Sequence, residues 1–117
     1  MNRPEQDLQR GVVQLLRLAL PRYLVLHVPN GGARTPAEAA ILKGLGVLPG
    51  VADLLVLGEG FAGGLELKAG KGKQSPAQLR FEADCARLRI PYAVGRSLED
   101  AERIVRSWGL EVRARVG

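Results

Sequence analysis

Asp53, Glu66 and Lys68 are the residues around which chemistry can be built. Asp53 interrupts an apolar run, residues 51–57, that follows Gly50. Further on, Leu65-Glu66-Leu67-Lys68 alternates, and a period of two sends Glu66 and Lys68 to one face of a strand. A hairpin partner that carries Asp53 brings the third charge beside them. Two carboxylates suit a hard divalent cation, Mg²⁺ or Mn²⁺, and the Leu67 carbonyl between Glu66 and Lys68 can complete the oxygen set. Such a cation polarises a phosphate and lowers the pKa of its bound water. Lys68 adds a point charge that orients the water or stabilises charge in the transition state. Phosphodiester hydrolysis needs all three. The competing reading is an exposed strand face whose ion pair contributes little. Asp53 resists that reading, because a carboxylate inside an apolar strand is costly without a partner.

The elements that must position these residues follow from periodicity and caps. A helix is predicted from near Pro4 to Pro21, with Leu8, Val12, Leu15, Leu16 and Ala19 as its apolar stripe. Glu5 extends that stripe to a carboxylate, either as a first-turn acid favoured by the helix dipole or as a metal ligand. Residues 23–28 read as a strand, and Pro29-Asn30-Gly31-Gly32 as a turn. Thr35-Pro36-Ala37-Glu38 opens a short helix with Ala40, Ile41 and Leu45 on one side. Residues 51–57 form a strand, apolar enough to be central, and residues 65–68 its hairpin partner.

Beyond the hairpin, Ala69-Gly70-Lys71-Gly72-Lys73 is a flexible basic loop. Ser75-Pro76-Ala77-Gln78 starts a helix with Ala77, Phe81, Cys85 and Leu88 as its apolar stripe, which makes Cys85 a core residue and not a nucleophile. The strand at residues 90–94 is reached by that helical crossover, which implies right-handed parallel pairing. Ser97 caps a last helix carrying Leu98, Ala101, Ile104, Val105 and Trp108, and residues 110–116 can add an edge strand guarded by Arg113 and Arg115. The expectation is one α/β domain over residues 1–117, with a small mixed sheet flanked by helices.

Bulk properties narrow the classes. A net charge of +5 and a pI of about 10.0 suit a polyanionic partner, nucleic acid first. One cysteine excludes an intrachain disulfide and a cysteine zinc cluster, and one histidine argues against a histidine-rich metal site. No apolar run is long enough for a membrane span and no signal-peptide pattern opens the chain, so a cytoplasmic protein is expected. The Gly-Lys-Gly-Lys tract is not a P-loop, because Gln74 stands where Ser or Thr is required. Two Phe, two Tyr and one Trp leave little for a base-stacking platform.

With these residues in place, the sequence resembles the PD-(D/E)xK nuclease superfamily, whose pattern Gly-x-x-Asp, hairpin, Glu-x-Lys is matched by Gly50, Asp53, Glu66 and Lys68. It is closer still to one branch, the VRR-NUC domain. Stand-alone phage and bacterial members carry a stretch like Val28-Pro29-Asn30-Gly31-Gly32, an alanine-rich helix, and Gly46-Val47 before the aspartate motif. They then carry Glu66-Leu67-Lys68 and a tail like Gly70-Lys71-Gly72-Lys73-Gln74-Ser75-Pro76-Ala77-Gln78. The resemblance covers residues 5–95. Ala52 departs from it, standing where a proline is usual; that proline shapes backbone and not chemistry.

The resemblance implies a restriction-endonuclease-like core and an Mg²⁺- or Mn²⁺-dependent endonuclease without a small-molecule cofactor. Asp53 and Glu66 would be metal ligands, Glu5 the first-helix acid near the metal, Lys68 the catalytic lysine, and Gln78 the glutamine that supports the site. It also implies a homodimer acting on branched DNA, above all four-way (Holliday) junctions, in a bacterial or phage-infected cell. Flap cleavage and a non-catalytic basic binding module are the alternatives. Lys71 and Lys73 can follow a phosphate backbone, and Arg34 and Lys43 are further candidate DNA contacts; solvated side chains are the competing reading for all four. His27 and Asn30 either line the cleft or, for the histidine, sit satisfied in the core.

Overall fold

Each helix starts from a side-chain cap. In α1 (Arg3–Ala19), Asn2 Oδ1 accepts the Glu5 N–H at 2.9 Å, and Pro4 occupies a first-turn position where its missing N–H costs nothing. Thr35 caps α2 (Pro36–Gly44) through the Glu38 N–H at 3.1 Å. Ser75 caps α3 (Pro76–Leu88), and Ser97 caps α4 (Leu98–Ser107) through the Asp100 N–H at 3.0 Å. Between them run β1 (Leu24–His27), β2 (Leu54–Gly58), β3 (Phe61–Leu67) and β4 (Tyr92–Gly95). The computed structural model describes residues 2–29 and 35–113.

The four strands form one mixed sheet in the order β1-β2-β3-β4. The first two pairings are antiparallel, and β3 with β4 is parallel, as the crossover through α3 predicts. α1 and α4 cover one face, where Val12, Leu16, Leu54, Val56, Leu65 and Leu67 are fully buried. Completely burying each such side chain contributes about 1.5–3 kcal/mol. α3 packs on the other face against β4.

Two strand boundaries differ from expectation, and two elements are less covered than their apolar residues suggest. The strand predicted at 51–57 begins only at Leu54, because the Asp53 N–H goes to the Glu66 side chain in place of a neighbouring strand. The strand predicted at 65–68 is longer, Phe61–Leu67, and stops one residue before Lys68. β2 is central in the sheet but buried on one side only. Leu55 and Leu57 line an open apolar cavity of about 440 Å³ with Leu48, Val51, Phe81 and Cys85. Finally, α2 buries none of its residues, and Ile41 and Leu45 on its apolar side are exposed.

Residues 110–113 form no strand; the Arg113 N–H instead donates to Ala19 O at 2.8 Å, and the rest of the expected edge strand lies outside the described residues. Cys85 is buried, as its spacing predicts, and burial raises its thiol pKa. No helix among the described residues is long and apolar enough to cross a membrane.

Candidate active site

At one end of the sheet, the last residues of β1, β3 and β4 meet the segment that leads into β2. The register pairs Leu54 with Leu65, which places Asp53 beside Glu66 one step beyond the ladder. Two hydrogen bonds lock that pair. The Asp53 N–H donates to Glu66 Oε1 at 3.2 Å, and the Leu67 N–H donates to Asp53 Oδ2 at 2.8 Å. Glu66 is thus held by the Asp53 main chain, and Asp53 by the main chain of β3 at Leu67.

Gly50 sets the path into this arrangement. Its φ of +79° favours glycine, and a Cβ there would overlap the Ala77–Gln78 peptide of α3. The aspartate segment therefore rests directly on the first turn of the helix that follows the site.

Glu66 is the one fully buried charged residue among those described, and its Oε2 is buried without a hydrogen-bond partner. Burial, then the side-chain hydrogen bond and charge of Asp53, raise its pKa from 4.5 to about 8, against the opposing pulls of Lys68 and of the Asp53 N–H. Tyr92, opposite Gly64 on β4, also feels Glu66: burial and then that charge push its phenol upward. Gln74 Nε2 donates to the Tyr92 hydroxyl at 3.0 Å and to Glu82 Oε1 at 3.2 Å, tying the basic loop to the floor of the site.

Lys68 follows β3 directly, with its N–H on Gly95 O at 3.1 Å and its side chain partly exposed. Glu5 comes close to it from α1. A Cβ built on Gly72 would stand 3.3 Å from Glu5 Oε1 and 3.7 Å from Lys68 Cδ, so both lie against the same turn. No cluster of three His, Cys, Asp or Glu side chains able to hold a metal occurs among the described residues. The carboxylates that meet are therefore Asp53 and Glu66, with Glu5 on the Lys68 side.

The Gln78 side chain takes part in the start of α3. Its Oε1 accepts the Ser75 N–H at 2.8 Å while its own N–H donates to Ser75 Oγ at 3.2 Å, a reciprocal cap of α3. Its side-chain oxygen serves the helix start, and its main chain supports the site through Gly50. The Leu67 side chain is buried in the core, and its main chain reaches the site through the N–H on Asp53. Lys71 and Lys73 are exposed in the loop after Lys68, and Lys43 is exposed in the last turn of α2. Arg34 and Asn30 lie outside the described residues.

His27 is exposed and so is no core histidine. Its Nδ1 lies 2.8 Å from the Asp53 carbonyl, which can only accept, so Nδ1 is the donor in this contact. Tyr92, Gln74 and Arg96 were missed by sequence reasoning. Parallel register could have found Tyr92, since Gly64 and Glu66 share a strand face and Tyr92 lies opposite the first. Nothing local to Gln74 signals its contact with Tyr92, and nothing local to Arg96 signals the bonds of its side chain to Gly70 O and Gly72 O.

A cation fits this donor set. A buried carboxylate oxygen without a partner, next to a second carboxylate and a lysine, is what a hard divalent ion satisfies. Asp53 and Glu66 would hold it.

No protein family profile matches the chain, and no curated protein matches it. Solved structures similar to it include two of VRR_NUC description. One, described as a VRR_NUC domain protein, superposes with a TM-score of 0.65 at 19% identity over 92% of this chain and 89% of its own. Another, described as a VRR_NUC domain, gives 0.61 at 20% identity over 90% of this chain and 97% of its own. At such identity the likeness is one of fold: the chain adopts the VRR-NUC fold, a restriction-endonuclease-like α/β core.

Proposed function

We propose that this protein is an Mg²⁺- or Mn²⁺-dependent endonuclease that hydrolyses phosphodiester bonds in branched DNA, four-way junctions foremost. The observation that carries the reading is the buried, unpartnered Glu66 Oε2 held beside Asp53 at the root of Lys68. The VRR-NUC fold supports a nuclease-type domain.

A cation bound there would neutralise phosphate charge and supply an acidified water. The protein's own groups do the rest. Asp53 and Glu66 present oxygens already positioned by the Leu67 and Asp53 N–H groups, with the Leu67 carbonyl as a further donor, so little reorganisation is needed on binding. Lys68 brings a positive charge to the mouth of the site, where it orients the attacking water and stabilises charge building on the phosphate. Lys71 and Lys73, with Lys43 on α2, offer cations to the flanking backbone.

Two copies acting together suit a junction, because each can cut one of two opposing strands. Leu48 at the open face of β2, with the exposed Ile41 and Leu45 of the α2 segment, supplies apolar surface for such a homodimer. Light scattering should then report two copies, and Leu45→Glu one.

The deciding experiment incubates wild type and Lys68→Ala with Mg²⁺ or Mn²⁺ and a panel of junction, flap and linear DNAs, with the cuts mapped. Symmetric cuts across junctions by wild type, and a loss on the order of a few hundredfold in the variant, are expected. Salt-sensitive binding without cleavage by any metal would instead make the protein a binding module; preferred cutting of flaps would change the substrate and keep the chemistry.

A further inference from the structure

Arg96 ties down the loop that carries the lysines. It is exposed between β4 and α4, and its Nη1 donates to Gly70 O at 3.0 Å and to Gly72 O at 2.8 Å. Its own main-chain N–H donates to Asp100 Oδ2 at 2.9 Å, so the residue is anchored to the first turn of α4 whatever its side chain does.

The other end of this clasp is the active-site turn. The Gly72 N–H donates to Ala69 O at 3.0 Å, Gly70 has a φ of +55°, and Gly72 lies against Glu5 Oε1 and the Lys68 stem. A segment built from Ala69, Gly70 and Gly72 has much conformational entropy to lose and little side chain with which to pack. It holds one shape only if something outside it binds its backbone. Arg96 does so with two carbonyls at once, a task that suits a planar, always-charged group. With those carbonyls turned to Arg96, Lys71 and Lys73 remain exposed.

We propose that Arg96 is a positioning residue for the cleavage reaction, holding residues 69–73 as a closed turn that keeps Lys68 in register with Asp53 and Glu66. The inference rests on the nuclease reading above. Replacing the side chain leaves the main-chain bond to Asp100 and the Asp100–Arg103 ion pair in place, so the fold should survive, which thermal melting checks.

The test has two arms on the full chain. Trypsin nicking after Lys71 and Lys73, without DNA or metal, reads the turn directly. Steady-state cleavage of junction DNA in Mg²⁺ reads its consequence as separate kcat and KM. Arg96→Ala should be nicked several-fold faster and lose kcat on the order of tenfold to a hundredfold, with KM little changed. Arg96→Lys, which can still donate to the turn, should recover part of both. Unchanged nicking overturns the clasp. Faster nicking with unchanged kcat overturns the positioning role, and so does a rise in KM alone, which would make Arg96 a DNA contact. If wild type cuts no DNA, the positioning role falls with the nuclease reading, and the nicking arm separates that failure from failure of the clasp.

Discussion

The two faces of the sheet solve opposite problems with neighbouring residues. Leu65 and Leu67 point into a closed core with Val12, Leu16, Ile104 and Val105, all nearly or fully excluded from solvent. Glu66, between them on the same strand, is just as buried but carries an oxygen without a partner. The first face gains stability from every buried carbon. The second gives some of that up, through an unsatisfied carboxylate and an apolar cavity left open beside α3. In a fold of this size, a buried carboxylate without a partner is tolerated only where an intact core elsewhere offsets its cost.

The strongest way to break the comparison is at adjacent positions. Glu66→Gln keeps the shape and removes the charge; cleavage should fall by at least about a hundredfold, while thermal unfolding at pH 8 shows no loss of stability. Full activity in this variant would remove Glu66 from the site. Leu65→Ala should do the reverse, lowering the unfolding free energy by about 2–5 kcal/mol in denaturant titrations.

A pH titration of metal-free protein sharpens the same contrast. Between pH 4.5 and about 8 the folded state keeps the Glu66 proton that the unfolded chain has released. The unfolded state therefore binds fewer protons there, and stability should fall as pH rises. Glu66→Gln, or added Mg²⁺, should flatten that slope; an unchanged slope would mean the carboxyl is not held as described. Asp100, whose carboxyl is held below its ordinary value by Arg103 and the Arg96 N–H, contributes in the opposite sense and only at more acidic pH.

The smallest effect lies away from both faces. Arg89 ends α3 with a φ of 58°, a left-handed conformation that costs a side-chain-bearing residue about 1 kcal/mol. Arg89→Gly should raise the unfolding free energy by up to that amount in a chemical melt, without altering cleavage.

Local chemistry made much of this legible in advance. The caps at Thr35, Ser75 and Ser97 and the stripes of α1 and α4 depend on residues three or four apart, and the structure carries them as expected. The hairpin, the parallel crossover and the meeting of Asp53 with Glu66 follow from strand order and alternation. Gln78 carries two readings that spacing does not separate: the resemblance makes it a support of the site, and the helix start makes it a cap, with its side-chain oxygen on Ser75. Apolar patterning likewise could not tell that Leu55 and Leu57 face a cavity and that α2 buries nothing, since a leucine reads the same whether or not another element covers it.

The amino-acid sequence by itself determined which elements form, their order, and the identity of the charged residues at the sheet's end, because these depend on short-range spacing. Only the tertiary structure decided that Asp53 stands just outside its strand, that Glu66 Oε2 is buried without a partner, and that Arg96 clasps the loop beyond Lys68. Those facts depend on groups 13 to 26 residues apart in the chain. Contacts at such separation are set by how whole elements pack, and no local pattern encodes them.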